Sequence, residues 1–502
     1  MERKTAYWLI AIVLITFISR LTFALLVPNF SYDSYFHLRQ VEHIEETGLP
    51  LFSDPLSYGG RDLTFLPLFH YLMALFALII PLKIVATILP NVFLSLLPVI
   101  VFLISRDISK SEEGALFAAL LTGFLPILFA TANSFSTETL LMPLLFLTIY
   151  SFLHISEKKY LYTYIITFLI SSLTSPVTFL LIMGFIIYIL LSILESKKIN
   201  KAEIEVILFS FLFFVWIQFL FFKRFFAQEG LSFIWQNVPK AIMAQYFPTI
   251  SLPQAVVLVS IVPFLAGIYV VYRALFQLHN TRAFLLISFV ISTSLLAWFR
   301  LIPFQISLMF FGVVLAILFA TFYEEMRQYL AKTKFVKKNW LAFSMILLLI
   351  PTMFLPAALS AVRSETTPTN KEVLAFQWLA THTPEDAGVL ALLEEGHLIT
   401  YYSSRRNMID DQFRLIKDVN SRFEDVNVLY HTTFQTQAIG LLDKYDVQYI
   451  VLTSHAQETE NLEKFRYLTK KCFDLVYNNF EENYDGGGAQ IYQNHCTIRE
   501  LK

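Results

Sequence analysis

The chain has 502 residues, of which 56% are apolar, 16% are aromatic and only 15% are charged. Soluble proteins carry about 25% charged residues, so this composition indicates a membrane protein and excludes soluble cytoplasmic enzymes and fibrous proteins. The formal net charge of −1 and the lack of a basic arm in the sequence argue against nucleic-acid binding.

The charged residues are unevenly distributed along the chain. Residues 363–502 contain 14 Lys and Arg against 21 Asp and Glu, whereas residues 1–362 contain 24 against 18. The first part is therefore only about 12% charged and basic, while the second has the charge content of a water-soluble protein. This contrast predicts a membrane domain at 1–362 and a soluble domain at 363–502.

Eleven apolar segments are long enough to cross a membrane. They lie at residues 6–28, 84–105, 114–132, 139–155, 160–174, 177–195, 204–222, 252–272, 283–299, 301–321 and 340–362. The first is expected to be an anchor helix that is not cleaved. A further segment from Phe65 to Pro81 has only about 15 apolar residues, so it is predicted to lie at the membrane interface.

The distribution of basic residues predicts the orientation of these segments. If the N-terminus lies inside, every inside loop carries Lys or Arg, while the short outside loops near 133–137 and 175–176 carry none. The soluble domain would then lie outside. Its periodicities predict helices at 371–381 and 426–445 and strands at 388–393, 447–453, 473–478 and 490–494. The predicted fold is a polytopic α-helical membrane protein of about eleven spans with a C-terminal extracytoplasmic α/β domain.

The only two cysteines, Cys472 and Cys496, both lie in the soluble domain. In an oxidising compartment they can form a disulfide. The alternative is that both are buried free thiols.

Three polar residues are predicted to lie on the same face as the soluble domain. Asp33 follows the first span, Glu138 begins the fourth, and Arg300 lies between the ninth and tenth. Two carboxylates can hold a hard divalent cation, and Arg can pair with a phosphate. The alternative is that the acids are merely solvated and that Arg300 extends its charged end to the interface, as expected also for Arg20 in the first span.

The string Asp33-Ser-Tyr-Phe-His-Leu-Arg39 resembles the first outer-loop motif of the GT-C glycosyltransferases, most closely that of the single-subunit archaeal and bacterial oligosaccharyltransferases. In that family the Asp is a metal ligand that is essential for catalysis. The segment Ser134 to Leu140 is similar to the second acidic motif, which implies that Glu138 is the second metal ligand. The segment Trp298 to Phe304 is similar to the one that carries the family's Arg, which implies a catalytic role for Arg300.

A fourth segment, Asp386 to Tyr402, is similar to the frame of the family's Trp-Trp-Asp-Tyr-Gly signature. The sequence differs from the family pattern in this motif and in two others. Ser136 replaces the first acid of the second motif, Thr249 to Leu252 lacks the Glu of the fifth-loop motif, and Leu392-Leu393-Glu394 replaces Trp-Trp-Asp. These changes imply that Glu394 faces an acceptor other than an Asn-x-Ser/Thr sequon.

The resemblance implies a membrane glycosyltransferase that transfers a sugar or oligosaccharide from a polyprenyl-phosphate or diphosphate donor to an extracytoplasmic protein or glycan acceptor. Asp33 and Glu138 would hold Mg²⁺ or Mn²⁺, and Arg39, His70 and Glu394 would contact the substrates. One alternative is a lipid-linked sugar flippase or carrier, although such proteins usually show internal repeats and charges near the bilayer centre. Another is a non-catalytic homologue that scaffolds an envelope assembly.

Overall fold

The structure is a computed structural model that describes residues 3–195, 199–230, 239, 242–243, 251–274, 281–332, 338–362, 367–480 and 487–498. Its first part is helical, as the hydropathy predicts. In chain order the helices are α1 (Arg3–Leu26), α2 (Ser34–Thr47), α3 (Leu68–Ala77), α4 (Leu82–Ser109), α5 (Glu112–Gly123), α6 (Pro126–Phe129), α7 (Thr137–Leu153), α8 (Lys158–Thr174), α9 (Phe179–Leu194), α10 (Lys201–Glu229), α11 (Leu252–Val259), α12 (Ile261–Arg273), α13 (Thr281–Trp298), α14 (Phe304–Ala331), α15 (Lys338–Leu349) and α16 (Leu355–Val362). A hairpin of β1 (Ser53–Asp54) and β2 (Arg61–Asp62) lies between α2 and α3.

The described residues include six helices that are long and apolar enough to cross a membrane, or seven if α11 and α12, which meet at an angle of 96°, form one span. All eleven predicted segments are helical over most of their length. The count of eleven stays a prediction, because helices such as α7, with 17 residues, are shorter than the roughly 20 that a crossing needs. Helix α3 has only 10 residues, which agrees with an interfacial position for the segment from Phe65 to Pro81.

Arg20 of α1 does not extend to the membrane interface, so that expectation is wrong. Its side chain is buried and donates from Nε to Asn91 Oδ1 (3.0 Å), from Nη1 to the Leu128 carbonyl (2.6 Å) and from Nη2 to Thr131 Oγ1 (3.1 Å). These acceptors lie on α4 and around α6, and the guanidinium satisfies all of them. Arg20 therefore joins three segments of the helical part, a role that a hydropathy profile does not reveal.

The second part is the predicted β-containing domain. Its elements are α17 (Asn370–His382), β3 (Gly388–Leu390), α18 (Gly396–Leu398), β4 (Arg406–Asn407), α19 (Val419–His431), α20 (Gln435–Lys444), β5 (Tyr449–Thr453), α21 (Ser454–Glu460), β6 (Phe473–Asn478) and β7 (Ala489–Asn494). The strands form one sheet in the order β4-β3-β5-β7-β6. Strand β3 is parallel to β4 and β5, and β7 is antiparallel to β5 and β6.

One helix of this domain differs from the sequence prediction, and one question that the sequence left open is answered. The single helix expected at 426–445 is two helices, because Thr432 adopts an extended backbone after α19. Cys472 and Cys496 form a disulfide, with Cα atoms 5.1 Å apart, which settles the alternative that the sequence left open. The proposed boundary at residue 363 stays a prediction, since residues 363–366 lie outside the described residues.

One apolar cluster joins the two parts of the chain. It contains buried side chains from α2 and α3 together with side chains from α17, β3, β5 and β7. Its members include Tyr35, Leu38, Val41, Phe69, Phe376, Leu379, Val389, Val451 and Ile491. Burial of these side chains holds the sheet domain against the segment that follows α1.

Replacing Arg20 with Met tests the buried guanidinium. The change leaves the three acceptors without their donor, and we expect a loss of at least about 3 kcal/mol of stability, seen as a lower thermal midpoint of the purified protein. Arg224→Met is the matched control, because Arg224 is exposed and, among the described residues, pairs with exposed Asp62 at 3.2 Å. Equal midpoints for the two variants would contradict the structural role of Arg20.

Candidate functional site

The carboxyl ends of three parallel strands bring polar side chains to one edge of the sheet. Strands β4, β3 and β5 are neighbours and run in the same direction, so the segments that follow them start at the same edge. In α/β sheets this edge is the usual location of ligand sites. Glu394 and His397 follow β3, Asp410 and Asp411 follow β4, and His455 follows β5.

The segment after α1 is held beside the start of α7. The Ser31 amide donates to the Asn133 carbonyl (3.1 Å), and the Phe135 amide donates to Ser34 Oγ (2.9 Å). Asp33 immediately precedes α2, and Glu138 lies in the first turn of α7. These two hydrogen bonds hold together the segments that carry Asp33 and Glu138, and the charge of Glu138 acts on Asp33 although the two are about 100 residues apart in the chain.

Asp33 has an unusual electrostatic environment. Although it precedes α2, its carboxylate does not cap the helix, and it forms no hydrogen bond or ion pair with the described residues. Its side chain keeps exposed surface, as an ion ligand must. Displacement of water by the surrounding protein, together with the charges of Asp411, Glu394 and Glu138, raises the pKa of Asp33 to about 7.

Asp410, Asp411, His397 and Arg61 form a buried ionic cluster beside Asp33. His397 Nε2 lies 2.6 Å from Asp411 Oδ1, and Arg61 Nη2 lies 3.4 Å from Asp410 Oδ1. Burial alone would lower the pKa of His397, but Asp410, Asp411 and Asp33 raise it. Burial alone would raise the pKa of Asp410, but Arg61 and His397 lower it.

Gly396 allows this cluster to form. A Cβ at residue 396 would lie only 2.1 Å from the Ile409 carbonyl oxygen, so α18 can approach the segment after β4 only with glycine there. That close approach places His397 next to Asp411.

Two groups of side chains could hold a metal ion. The ligand atoms of His397, Asp410 and Asp411 lie within 4.8 Å of one another. With His397 protonated, however, their two negative charges are balanced by His397 and Arg61, and Asp410 already accepts from Ser57, Asn407 and the Gln412 amide. Asp33 and Glu138 form no ion pair with the described residues, so the unbalanced negative charge lies with them. That charge suits a divalent cation.

Glu394 and His455 form a second pair at the same edge. His455 Nε2 lies 2.8 Å from Glu394 Oε2, and the imidazole stacks on the ring of Tyr32 with centroids 4.9 Å apart. Tyr32 is the neighbour of Asp33 in the chain. Glu394 is therefore close enough to Asp33 for its charge to raise the pKa of Asp33, and its role as an acceptor contact stays a prediction.

The other three predicted site residues are less closely associated with Asp33. Arg39 forms a bidentate ion pair with Asp54, at 2.6 and 2.8 Å. His70 is buried, and its Nε2 lies 2.8 Å from His37 Nδ1. Arg300 is exposed in the turn between α13 and α14, where its backbone has a φ of +56°. Their roles as substrate or catalytic contacts stay predictions.

The sequence does not reveal His397, Asp411 and His455 as site residues. They are separated from Asp33 by more than 360 residues, and only the strand order places them beside it. The sequence signal that could have found them is their position just after buried strands. Half of the expected fifth-loop segment lies outside the described residues, because Thr249 and Ile250 are not among them.

Comparisons with known proteins agree with the predicted class. A profile of the family described as Dolichyl-phosphate-mannose-protein mannosyltransferase matches residues 65–219. The Dolichyl-phosphooligosaccharide-protein glycotransferase 2 of Archaeoglobus fulgidus is 33% identical over 137 residues. That match covers 25% of this chain and 23% of the relative, so it spans about a quarter of each protein.

Solved structures extend the likeness to nearly the whole chain. The oligosaccharyltransferase of Archaeoglobus fulgidus in complex with Zn and sulfate has a TM-score of 0.65 at 15% identity and covers 88% of this chain and 67% of that one. The same protein, AglB, with an inhibitory peptide and a dolichol-phosphate has a TM-score of 0.68 at 14% identity, with 90% and 70% covered. ArnT from Cupriavidus metallidurans bound to undecaprenyl phosphate has a TM-score of 0.54 at 11% identity, with 99% of each chain covered. The chain thus has the fold of these solved structures, which agrees with the resemblance stated from the sequence.

The buried carboxylate of Glu395 should make the stability of the folded state depend on pH. Burial and the charge of Glu372 raise the pKa of Glu395 to about 7, whereas the unfolded side chain ionises near 4.5. Between these values the folded state holds the proton more tightly, so stability falls as the pH rises from about 4.5 to 7. We expect Glu395→Gln to weaken this fall and to raise stability at pH 8 by up to about 3 kcal/mol.

Thermal unfolding from pH 4.5 to 8 measures this effect, with Glu463→Gln as a control at an exposed position. Parallel pH profiles for Glu395→Gln and the original protein would contradict the assignment.

Proposed function

We propose that this chain is a membrane glycosyltransferase that moves a sugar or oligosaccharide from a polyprenyl-phosphate or diphosphate donor to an acceptor at the extracytoplasmic surface. The observation that carries the proposal is the pair of unpaired carboxylates, Asp33 and Glu138, where the outer segment meets the carboxyl edge of the sheet. The fold supports the class of reaction, and AglB and ArnT are relatives in fold that have been solved with lipid phosphates.

Asp33 and Glu138 are the side chains that would hold Mg²⁺ or Mn²⁺. Both offer hard oxygen ligands, and Asp33 keeps exposed surface and no protein partner among the described residues. A bound divalent cation would neutralise the charge that develops on the leaving phosphate. Arg300 is proposed to pair with the donor phosphate, for which its guanidinium is suited.

The acceptor is proposed to differ from an Asn-x-Ser/Thr sequon. Leu392 is buried and Leu393 is partly buried, and neither side chain has a hydrogen-bonding group. A site that lacks such groups discriminates weakly for a hydroxyl. Glu394, held by His455, remains as the polar contact.

The membrane arrangement is part of the proposal. All eleven apolar segments would cross, and the sheet domain and the carboxylate pair would both lie outside. The disulfide between Cys472 and Cys496 supports an oxidising compartment for this domain. The donor's lipid chain would then lie in the bilayer beside the spans.

Replacing Asp33 with Asn tests the carboxylate pair. The variant keeps the shape but removes one ligand charge, and we expect transfer to fall by about 100-fold or more while the thermal midpoint does not fall, because the raised pKa of Asp33 means that its charge does not stabilise the folded state. The assay incubates purified protein with a pool of lipid-linked sugars and Mn²⁺ and analyses the lipid and acceptor fractions by mass spectrometry.

Asp62→Asn is the matched control, since Asp62 lies in the same outer segment but is exposed and pairs with Arg224. Full activity of Asp33→Asn would refute the metal site. Lipid movement across vesicles without sugar transfer would favour a carrier.

Single introduced cysteines test the orientation. Both native cysteines are disulfide-bonded, so a new thiol is the reactive one. A membrane-impermeant reagent applied to intact cells should label cysteines near Asp33, Thr137 and Lys464, and should miss those near Lys201 and Lys332. Labelling at Lys332 would show that the segment from Phe65 to Pro81 crosses the membrane.

A further inference from the structure

The sheet edge carries two His–carboxylate pairs that differ in exposure. In the first pair, the side chains of His397 and Asp411 are each only 5% exposed. In the second, the His455 side chain is 17% exposed and that of Glu394 is 36% exposed. Only the second pair can be reached by an acceptor that arrives from solvent.

The position of His455 is fixed from three sides. Its ring stacks on Tyr32, its Nε2 is bonded to Glu394, and its backbone amide donates to Glu372 Oε1 (3.1 Å). Thr453 caps the short helix α21 by accepting from the Ala456 amide (2.9 Å). The remaining ring nitrogen, Nδ1, has no hydrogen-bond partner among the described residues. It is not among the buried atoms that lack a partner, so it is accessible to solvent.

We propose that His455 is the general base that activates a hydroxyl acceptor, with Glu394 as the residue that orients its ring. This inference rests on the proposed function and names the acceptor class of that same site. An imidazole oriented by a carboxylate is a sufficient arrangement for activating an alcohol, as the Ser–His–Asp constellations show.

The step balances without any further reactant. The acceptor oxygen forms a bond to the anomeric carbon of the donor sugar, and the bond from that carbon to the phosphate oxygen breaks. The polyprenyl phosphate or diphosphate leaves with the electron pair. The acceptor proton moves to Nδ1 of His455 and is then released to solvent.

The charges around His455 suit this role. Burial alone would lower its pKa, but the hydrogen bond to Glu394 and the charges of Glu395, Glu394 and Glu372 raise it above its usual value. Tyr32 covers one face of the ring and stays neutral, since burial and these same acids raise its pKa. The base should therefore lose activity as the pH falls through a value above about 6.5.

Two measurements on the full-length purified protein test the proposal. The first needs no donor: diethyl pyrocarbonate acylates neutral imidazole, and peptide mapping across pH follows each histidine. In the original protein, the rate of His455 acylation should have its inflection at a higher pH than in the Glu394→Gln variant. His397 should react much more slowly than His455. An unreactive His455, or an inflection that Glu394→Gln leaves unchanged, would overturn the proposal.

The second measurement uses the transfer assay with polyprenyl-phosphate mannose and the lipid-linked sugar pool, with water and simple alcohols as acceptors. His455→Gln should lower the rate by about 10²–10⁴-fold and make the acidic limb of the pH profile less steep, since the protonation of Asp33 still contributes to that limb. His495→Gln is the matched control, because His495 pairs with Asp474 at 3.0 Å on an exposed surface. Its rate and pH profile should stay unchanged.

The outcomes separate the two proposals. If the original protein transfers sugar and His455→Gln retains its rate and pH profile, the base assignment is wrong and the glycosyltransferase function stands. If the original protein transfers sugar to none of these acceptors nor to a peptide, the proposed function is wrong, and the base role fails with it.

Discussion

The docking of the segment between α1 and α3 onto the carboxyl edge of the sheet is the contact on which the whole site depends. Asp410 is its polar centre: its carboxylate accepts from Ser57 Oγ (2.5 Å) and pairs with Arg61, and its carbonyl accepts from the Tyr58 hydroxyl (2.5 Å). The Tyr58 amide also donates to Asn407 Oδ1 (2.7 Å). Asp410 is fully buried, so breaking one of these bonds would leave a buried polar group unsatisfied.

The same contact divides the charged residues near Asp33 into two classes. Arg61 pairs with Asp410 across the contact, whereas Arg39 pairs with Asp54 within the segment between α1 and α3, and His397 pairs with Asp411 within the sheet domain. Asp33 and Glu138 are left without such partners in the described part of the chain. A site for a cationic ligand needs this imbalance, because a carboxylate that is already paired has little to gain from an ion.

The two His–carboxylate pairs show how burial alone can separate structural from chemical roles. Both have short contacts, 2.6 Å for His397 with Asp411 and 2.8 Å for His455 with Glu394. The first lies inside the cluster that fixes the docking of the outer segment. The second is partly exposed at the sheet edge, against Tyr32, where a hydroxyl could reach the remaining ring nitrogen.

The helical apolar part and the change to a β-containing domain could be predicted from the sequence, because hydropathy, charge content and strand periodicity are local properties. The GT-C resemblance came from short motif segments. The sequence also predicts Asp33, Glu138 and Glu394 as site residues, because they stand in segments that resemble family motifs, and these roles stay predictions. It could not determine that Arg20 is buried, because its acceptors lie on α4 and near α6. Nor could it place His397, Asp411 and His455 beside Asp33, since their proximity arises only when β4, β3 and β5 align in parallel and α2 packs against the sheet. Only the tertiary structure decided which charges are paired, and so which remain available to a substrate.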